Sequence, residues 1–167
     1  MRPRPGLVGS LALALAAAIG ASAAAESSRS PDELTQALVA LNARFQAAAA
    51  AERGRLLPEL LRLAAEREKA LAFIVEREPG AVLRLALPRD VRASLPSSVR
   101  AQVEEEVELE GEVEVLHEDR ASGSRYLYFL EAAGERYSLH FAREAPALVT
   151  GTRVLVKGVR IGHALVL

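Results

Sequence analysis

The residues best suited to catalysis or metal binding are few in this 167-residue chain. Cysteine is absent, and the histidines are His117, His140 and His163. Without cysteine the chain has no disulfide, no Cys-ligated zinc site and no thiol nucleophile. The histidines would bind zinc only if the fold brought them together, and nothing in their surroundings indicates a common centre. No G-x-S-x-G motif, recognisable Ser/His/Asp spacing or phosphate-binding loop is present. We therefore expect no enzyme activity, no metal and no cofactor.

Acidic residues are concentrated in one segment and could supply oxygen ligands for calcium. The run Glu104–Glu106 is followed by glutamate at every second position, namely Glu108, Glu110, Glu112 and Glu114. Calcium ligands converge from a loop, whereas alternate residues of a straight strand diverge. We interpret these glutamates as a solvated strand face, partly paired with Arg or Lys across the sheet. Such a face argues against nucleic acid, which requires positive charge and stacking side chains.

The tyrosines are the candidate binding residues. Tyr126 and Tyr128 share one face of a predicted strand, and Leu127 and Phe129 share the other. Together with Tyr137 they could form a surface for a ligand or protein partner. The alternative is packing, with one face filling a barrel and the other lying under the helices. A buried tyrosine would then still need a partner for its hydroxyl group.

A short internal repeat lies between the helical and strand-like halves. The segments 87–93 and 95–101 both read L-P-x-x-V-R-A. Each predicts a short helical turn with proline at the first helical position and valine on the inner side. We expect Arg92 and Arg100 to serve packing, although a role in an active site is the alternative.

The elements before the repeat are predicted to be two helices. Residues 30–33 (S-P-D-E) form a capping box, and leucines at three- and four-residue steps follow. We expect a turn at Arg53–Arg55 and a second helix from about Pro58 to Glu78. The charged run Glu66–Lys69 interrupts the apolar stripe of that helix. The two helices would form a helical hairpin.

From Val103 onward the hydrophobic period is two, which is typical of strands. A long first strand contains Gly111, which indicates a bulge or bend. We expect a polar turn over 117–124 and a single helical turn within 143–150. Four further strands are predicted at 125–131, 136–142, 152–160 and 164–167. The fold class is thus α+β, with a helical region (26–102) packed on a five-stranded OB-like β-barrel (103–167). An open antiparallel meander is the alternative.

The first 25 residues have the pattern of a bacterial-type signal peptide. Arg2 and Arg4 precede an apolar stretch, Leu7–Ile19, and small residues follow up to Ala25. An uncleaved anchor is the alternative, but this stretch is shorter than the roughly 20 residues that span a membrane. Cleavage would leave 19 basic and 22 acidic residues and a net charge of −3. We expect a secreted or periplasmic protein without a stable membrane anchor.

Several runs of the second half resemble a known type of module. They are V-E-L-E-G-E-V-E-V-L-H-E-D-R (107–120), S-R-Y-L-Y-F-L (124–130), G-E-R-Y-S-L-H-F (134–141) and T-G-T-R-V-L-V-K-G-V-R (150–160). This half resembles the non-catalytic N-terminal region ahead of gametolysin-type secreted zinc metalloproteases. Protease activity is not implied, because His117-Glu118 is followed by Ala121 where H-E-x-x-H requires histidine.

The resemblance implies an exported accessory or pro-domain-like module that binds another protein, with a metalloprotease as one candidate partner. A secreted or periplasmic module that binds a peptide or glycan through Tyr126, Tyr128 and Tyr137 is the alternative. Neither the oligomeric state nor the status of Leu167 as a natural C-terminus follows from the sequence.

Overall fold

The computed structural model describes residues 29–120 and 123–167. Five helices and five strands lie within these residues. The helices are α1 (Pro31–Ala47), α2 (Ala50–Ile74), α3 (Pro79–Leu85), α4 (Arg89–Ser94) and α5 (Ser97–Arg100). The strands are β1 (Glu105–Arg120), β2 (Gly123–Ala132), β3 (Glu135–His140), β4 (Arg153–Ile161) and β5 (Ala164–Val166). None of the helices in this part of the chain is long and apolar enough to cross a membrane. The predicted signal peptide lies outside the described residues.

Helix α1 begins at the predicted capping box. The Ser30 hydroxyl accepts a hydrogen bond from the Glu33 amide, and the Glu33 carboxylate accepts one from the Ser30 amide. Leu34, Leu38 and Leu41 are buried against α2 and the later short helices. The apolar stripe read from the sequence is therefore the face that packs.

The predicted turn at Arg53–Arg55 is wrong, because the break between α1 and α2 falls at Ala48 and Ala49. Helix α2 runs through both Gly54 and Pro58. The Arg53 guanidinium reaches back and donates to the carbonyls of Gln46 and Ala48, at 2.9 Å each. Arg53 thus satisfies carbonyls at the end of α1 that lack helical partners.

Three short helices carry the chain from α2 to the sheet. The predictions omitted α3, while α4 and α5 coincide with the two copies of the repeat. The prolines Pro88 and Pro96 stand at the N-cap positions rather than at the first helical positions. Val99 is fully buried, and Val91 is partly buried in the same cluster.

The five strands are hydrogen-bonded in a closed ring in the order β1-β2-β3-β5-β4. The N-terminal half of β1 (105–112) pairs with β4, and its C-terminal half (112–120) pairs with β2. The ring is closed by the parallel pairing of β3 with β5. The predicted α+β fold with helices packed on a closed five-stranded sheet is confirmed, and the open meander is excluded.

Two local predictions within the sheet are wrong. Most of the segment 117–124 is not a polar turn, because β1 continues to Arg120 and β2 begins at Gly123. The connection 141–152 contains no helical turn. The residues His117, Glu118 and Asp119 are all polar, and none of them is buried, so they lack the apolar alternation of a half-buried strand and their polarity suggested a loop.

Three hydrophobic clusters follow one another through the molecule. The first lies among the helices and contains the leucines of α1 and α2. The third fills the ring and is centred on Val113, Leu130 and Leu165. The second joins the two halves, since Leu71, Val75 and Val82 of the helical region pack on Val159, Ile161 and Val166 of the sheet.

Candidate functional site

The three histidines lie in different surroundings. The His117 ring lies 5.0 Å from the Tyr126 ring, while His163 lies 6.2 Å from Tyr137. His140 is within 3.0 Å of the Ser138 hydroxyl, and burial lowers its pKa. Within 29–120 and 123–167, no three His, Asp or Glu side chains are placed to hold a metal ion.

The three tyrosines do not form one surface. Tyr126 is 62 % exposed on the projecting β1–β2 hairpin. Tyr128 is half-buried and makes an edge-on contact with Phe141 at 5.3 Å. Tyr137 is buried within the ring, and its hydroxyl donates to Glu135 at 2.7 Å. This hydrogen bond raises the pKa of Tyr137. Tyr126 is therefore the most exposed of the three tyrosines.

The alternating glutamates of β1 form cross-strand ion pairs on the outside of the sheet. Glu108 pairs with Lys157 at 3.0 Å, and Glu110 pairs with Arg153 at 2.8 Å. Glu114 pairs with Arg136 at 2.5 Å. These carboxylates diverge along the strand and are matched by cations on β3 and β4, as the alternation suggested.

Glu104 and Arg67 do not follow the predictions for their segments. Both side chains are only 1 % exposed and form an ion pair at 2.5 Å. Arg67 also donates to the Thr35 hydroxyl and the Leu85 carbonyl, and Glu104 accepts from the Leu87 amide. Arg67 therefore does not interrupt the packed face of α2. It joins α1, α2 and the chain entering β1.

A cleft of about 910 Å³ opens beside this pair, between α4, α5 and the β4–β5 turn. Its size is near the upper end of the usual range for ligand sites. Its walls carry four arginines and four glutamates: Arg89, Arg92, Arg100, Arg160, Glu68, Glu104, Glu105 and Glu106. We call it the arginine cleft.

Most charged side chains of the arginine cleft already form ion pairs or hydrogen bonds within the protein. Glu104 is paired inward with Arg67, and Glu105 is paired with Arg160 at 2.6 Å. Arg100 donates to the carbonyls of Ala93 and Leu95, so it fastens α5 to α4. Arg100 thus has the packing role expected for the repeat.

Arg92 is the exception among these residues. It is 9 % exposed, and its Nη2 donates to the Glu106 carboxylate at 2.6 Å. Its Nη1 is buried without a hydrogen-bond partner in the described part of the chain. The side-chain carbonyl of Gln102, another residue of the cleft wall, is buried in the same unpartnered state. Such groups carry a free-energy cost of about 1–3 kcal/mol each.

Two charged side chains of the cleft, Arg89 and Glu68, have neither an ion-pair nor a hydrogen-bond partner among the described residues. Arg89 is exposed at the start of α4, and Glu68 is partly buried on α2. The cleft can thus offer both a cation and an anion to a ligand. Sequence reasoning missed this site, although the two arginines of the repeat mark one of its walls.

The fold is α+β, and a cleft lined by both arginines and glutamates opens at the junction of the helices and the sheet. In comparisons with known proteins, no family model, no curated protein and no solved structure matches the chain. The resemblance to metalloprotease N-terminal regions therefore stays a prediction.

Proposed function

We propose that the protein is an exported, non-catalytic module that binds another protein through the arginine cleft. The observation that carries this proposal is Arg92, a nearly buried arginine with an unpartnered Nη1 in the wall of a large open cleft. Natural proteins satisfy almost all buried polar groups, so an exception calls for an explanation, and a functional role is one of them.

A protein partner fits this cleft better than a small metabolite. The polar groups are spread over α2, α4, the segment before β1 and the β4–β5 side of the sheet rather than focused on one point. An extended or looped segment of a partner could contact all of these elements at once. A secreted metalloprotease remains the partner class suggested by the resemblance of residues 107–160.

Export is the second part of the proposal and is supported by the N-terminal sequence. Arg2, Arg4 and the apolar stretch Leu7–Ile19 favour translocation out of the cytoplasm. The absence of cysteine means that the exported chain depends on packing and ion pairs rather than disulfides. The relevant partners are therefore other exported proteins.

Filling the cleft tests the proposal. Ala93 is an exposed residue of α4 in the cleft wall, and Ala93→Trp places a large side chain there without replacing a charged group. Ala40→Trp is the matched control, because Ala40 is an exposed residue of α1 that does not line the cleft. Each protein, produced from the full coding sequence, is immobilised and exposed to the exported proteins of its own host.

We expect the unmodified protein and Ala40→Trp to retain the same partner and Ala93→Trp to lose at least about nine-tenths of it. Quantitative mass spectrometry of the eluted proteins measures the loss. Equal capture by all three proteins, or no capture by any of them, would overturn the proposal.

A further inference from the structure

The two side chains of the Arg92–Glu106 ion pair differ widely in solvent exposure. The Arg92 side chain is 11 % exposed, whereas the Glu106 side chain is 64 % exposed. Glu106 reaches Arg92 from the outer face of β1 through a single hydrogen bond. The nearby Glu104 is instead 1 % exposed and accepts hydrogen bonds from both Arg67 and the Leu87 amide. Of the two carboxylates, only Glu106 can leave its arginine for water without a buried charge of its own being stranded.

From this contrast we infer that Glu106 holds the position on the Arg92 guanidinium that a carboxylate of the ligand takes when the ligand binds. This inference rests on the proposed function, because it names the chemistry of the partner at the same cleft. The ligand is a peptide segment of the partner that carries a carboxylate. When that carboxylate arrives, it replaces Glu106 on Arg92, and the guanidinium turns so that Nη1 also gains a partner. Arginine is suited to this exchange because it binds a carboxylate through two parallel hydrogen bonds.

The second unpartnered group explains why the ligand is a peptide rather than an inorganic anion. Arg92 needs an acceptor, whereas the side-chain carbonyl of Gln102 needs a donor. A peptide supplies both, since its carboxylate accepts and its backbone N–H donates. Phosphate in its charged form provides acceptors for Arg92 but little for the Gln102 carbonyl.

The charges of the cleft limit how acidic the segment can be. Arg89 is the one cleft arginine that lacks an ion-pair or hydrogen-bond partner among the described residues, and it can bind a second carboxylate. Glu68 and Glu105 repel a polyanion, which makes nucleic acid a poor ligand. A segment with one or two carboxylates separated by neutral residues fits this arrangement.

The test uses two short peptides and inorganic phosphate as probes. The acidic probe is acetyl-Gly-Glu-Gly-Glu-Gly-amide, and its neutral counterpart has glutamine in place of both glutamates. Binding to the full chain is measured by isothermal titration calorimetry and by NMR shifts of the backbone amides of residues 89–106. Glu106→Gln removes the internal competitor at an exposed position. Glu110→Gln is the matched control, because Glu110 pairs with Arg153 on the same strand face outside the cleft.

We expect the acidic peptide to bind, the neutral peptide to bind at least about tenfold more weakly, and phosphate to bind no better than the neutral peptide. Glu106→Gln should tighten the acidic peptide by about tenfold, and Glu110→Gln should leave it unchanged. The double variant Arg92→Gln/Glu106→Gln should lose the tighter binding of the acidic peptide that Glu106→Gln alone shows. Circular dichroism checks that the double variant is folded.

Unchanged binding in Glu106→Gln, or equal binding of the acidic and neutral peptides, would refute the inference. The proposed function fails separately, since it is judged by partner capture in Ala93→Trp. Capture that depends on the cleft, combined with no effect of Glu106→Gln, would retain the binding module and discard the carboxylate exchange.

Discussion

Arg67 and Arg92 both lie in the helical region and lose most of their contact with water, yet they are held in different ways. Arg67 makes hydrogen bonds to three groups and is matched by a carboxylate that is equally buried. Arg92 shares one hydrogen bond with an exposed carboxylate. The first arrangement is a fixed structural contact, and the second is exchangeable. Charge and position in the sequence do not distinguish them, because each arginine has acidic or polar neighbours along the chain.

Glu104→Gln is expected to destabilise the fold by about 3–5 kcal/mol, because it leaves the positive charge of Arg67 buried without its partner. Urea denaturation followed by far-UV circular dichroism measures the change. The comparison is Glu110→Gln, which breaks an exposed pair and should cost less than about 1 kcal/mol. Similar losses of unfolding free energy in both variants would show that burial does not increase the contribution of the Arg67–Glu104 pair to stability.

The same pair predicts how stability depends on acidity. Burial by itself raises the pKa of Glu104, but the hydrogen bonds and charge of Arg67 and the Leu87 amide outweigh it and leave the pKa below its usual value. The contribution of Glu104 is therefore present above the unfolded-state pKa of about 4.3 and is lost as the pH falls through the lower folded-state value. In the denaturation series, Glu104→Gln should flatten the decline in unfolding free energy below about pH 4.3. A parallel decline in both proteins would contradict this origin.

At the scale of elements, β1 determines the shape of the sheet. It changes partner near Glu112, from β4 on its N-terminal side to β2 on its C-terminal side. Gly111 stands next to this change, and a Cβ there would collide with the carbonyl oxygen of Glu131 on β2. The absence of a side chain lets β2 approach β1 closely at this point, so this glycine is required by contact rather than by turn geometry.

Gly111→Ala should destabilise the protein by about 2 kcal/mol or more, because the added methyl group must push backbone apart. Gly54→Ala offers a control of opposite sign. Gly54 lies inside α2, and nothing lies within 4 Å of the added Cβ, so alanine should stabilise by about 0.5–1 kcal/mol. Both changes are measured by thermal and urea denaturation. A tolerated Gly111→Ala would mean that the strands can separate locally at little cost.

Periodicity predicted most elements correctly, and the misses have physical causes. The capping box located the start of α1, and the period-two pattern located five strands. The loop between α1 and α2 was misplaced because Arg53 and Gly54 suggest a turn, whereas the first residue caps α1 from within α2. The arginine cleft could not be predicted, since Arg92, Gln102 and Glu106 come to line one cleft only in the folded chain. The position of Arg67 inside a charged run similarly concealed its burial.

For the whole molecule, the decisive feature is the continuity of its packing. The second hydrophobic cluster contains residues of α2, α3, β4 and β5 and so joins the helices to the sheet. The Arg67–Glu104 pair lies at the same junction, where the chain passes from α5 into β1. The arginine cleft is built from both halves as well. Its geometry therefore depends on the helices and the sheet remaining in one arrangement.

This continuity predicts that the helical region and the sheet unfold as one cooperative unit. Val99 belongs to the helical cluster and Val113 to the cluster inside the ring, and both are fully buried. Val99→Ala and Val113→Ala should each lower the unfolding free energy by about 2 kcal/mol. Far-UV circular dichroism reports mainly the helices, and near-UV circular dichroism reports the buried ring of Tyr137 within the sheet.

If the unit is cooperative, both signals shift by the same amount in each variant and their transitions coincide. If the halves were independent, Val99→Ala would shift only the far-UV signal and Val113→Ala mainly the near-UV signal. Coincident transitions would also predict how partner binding affects stability. A partner that binds the arginine cleft only when helices and sheet are assembled must then stabilise both of them together. The stabilisation grows with partner concentration above the dissociation constant, and it should appear equally in both signals.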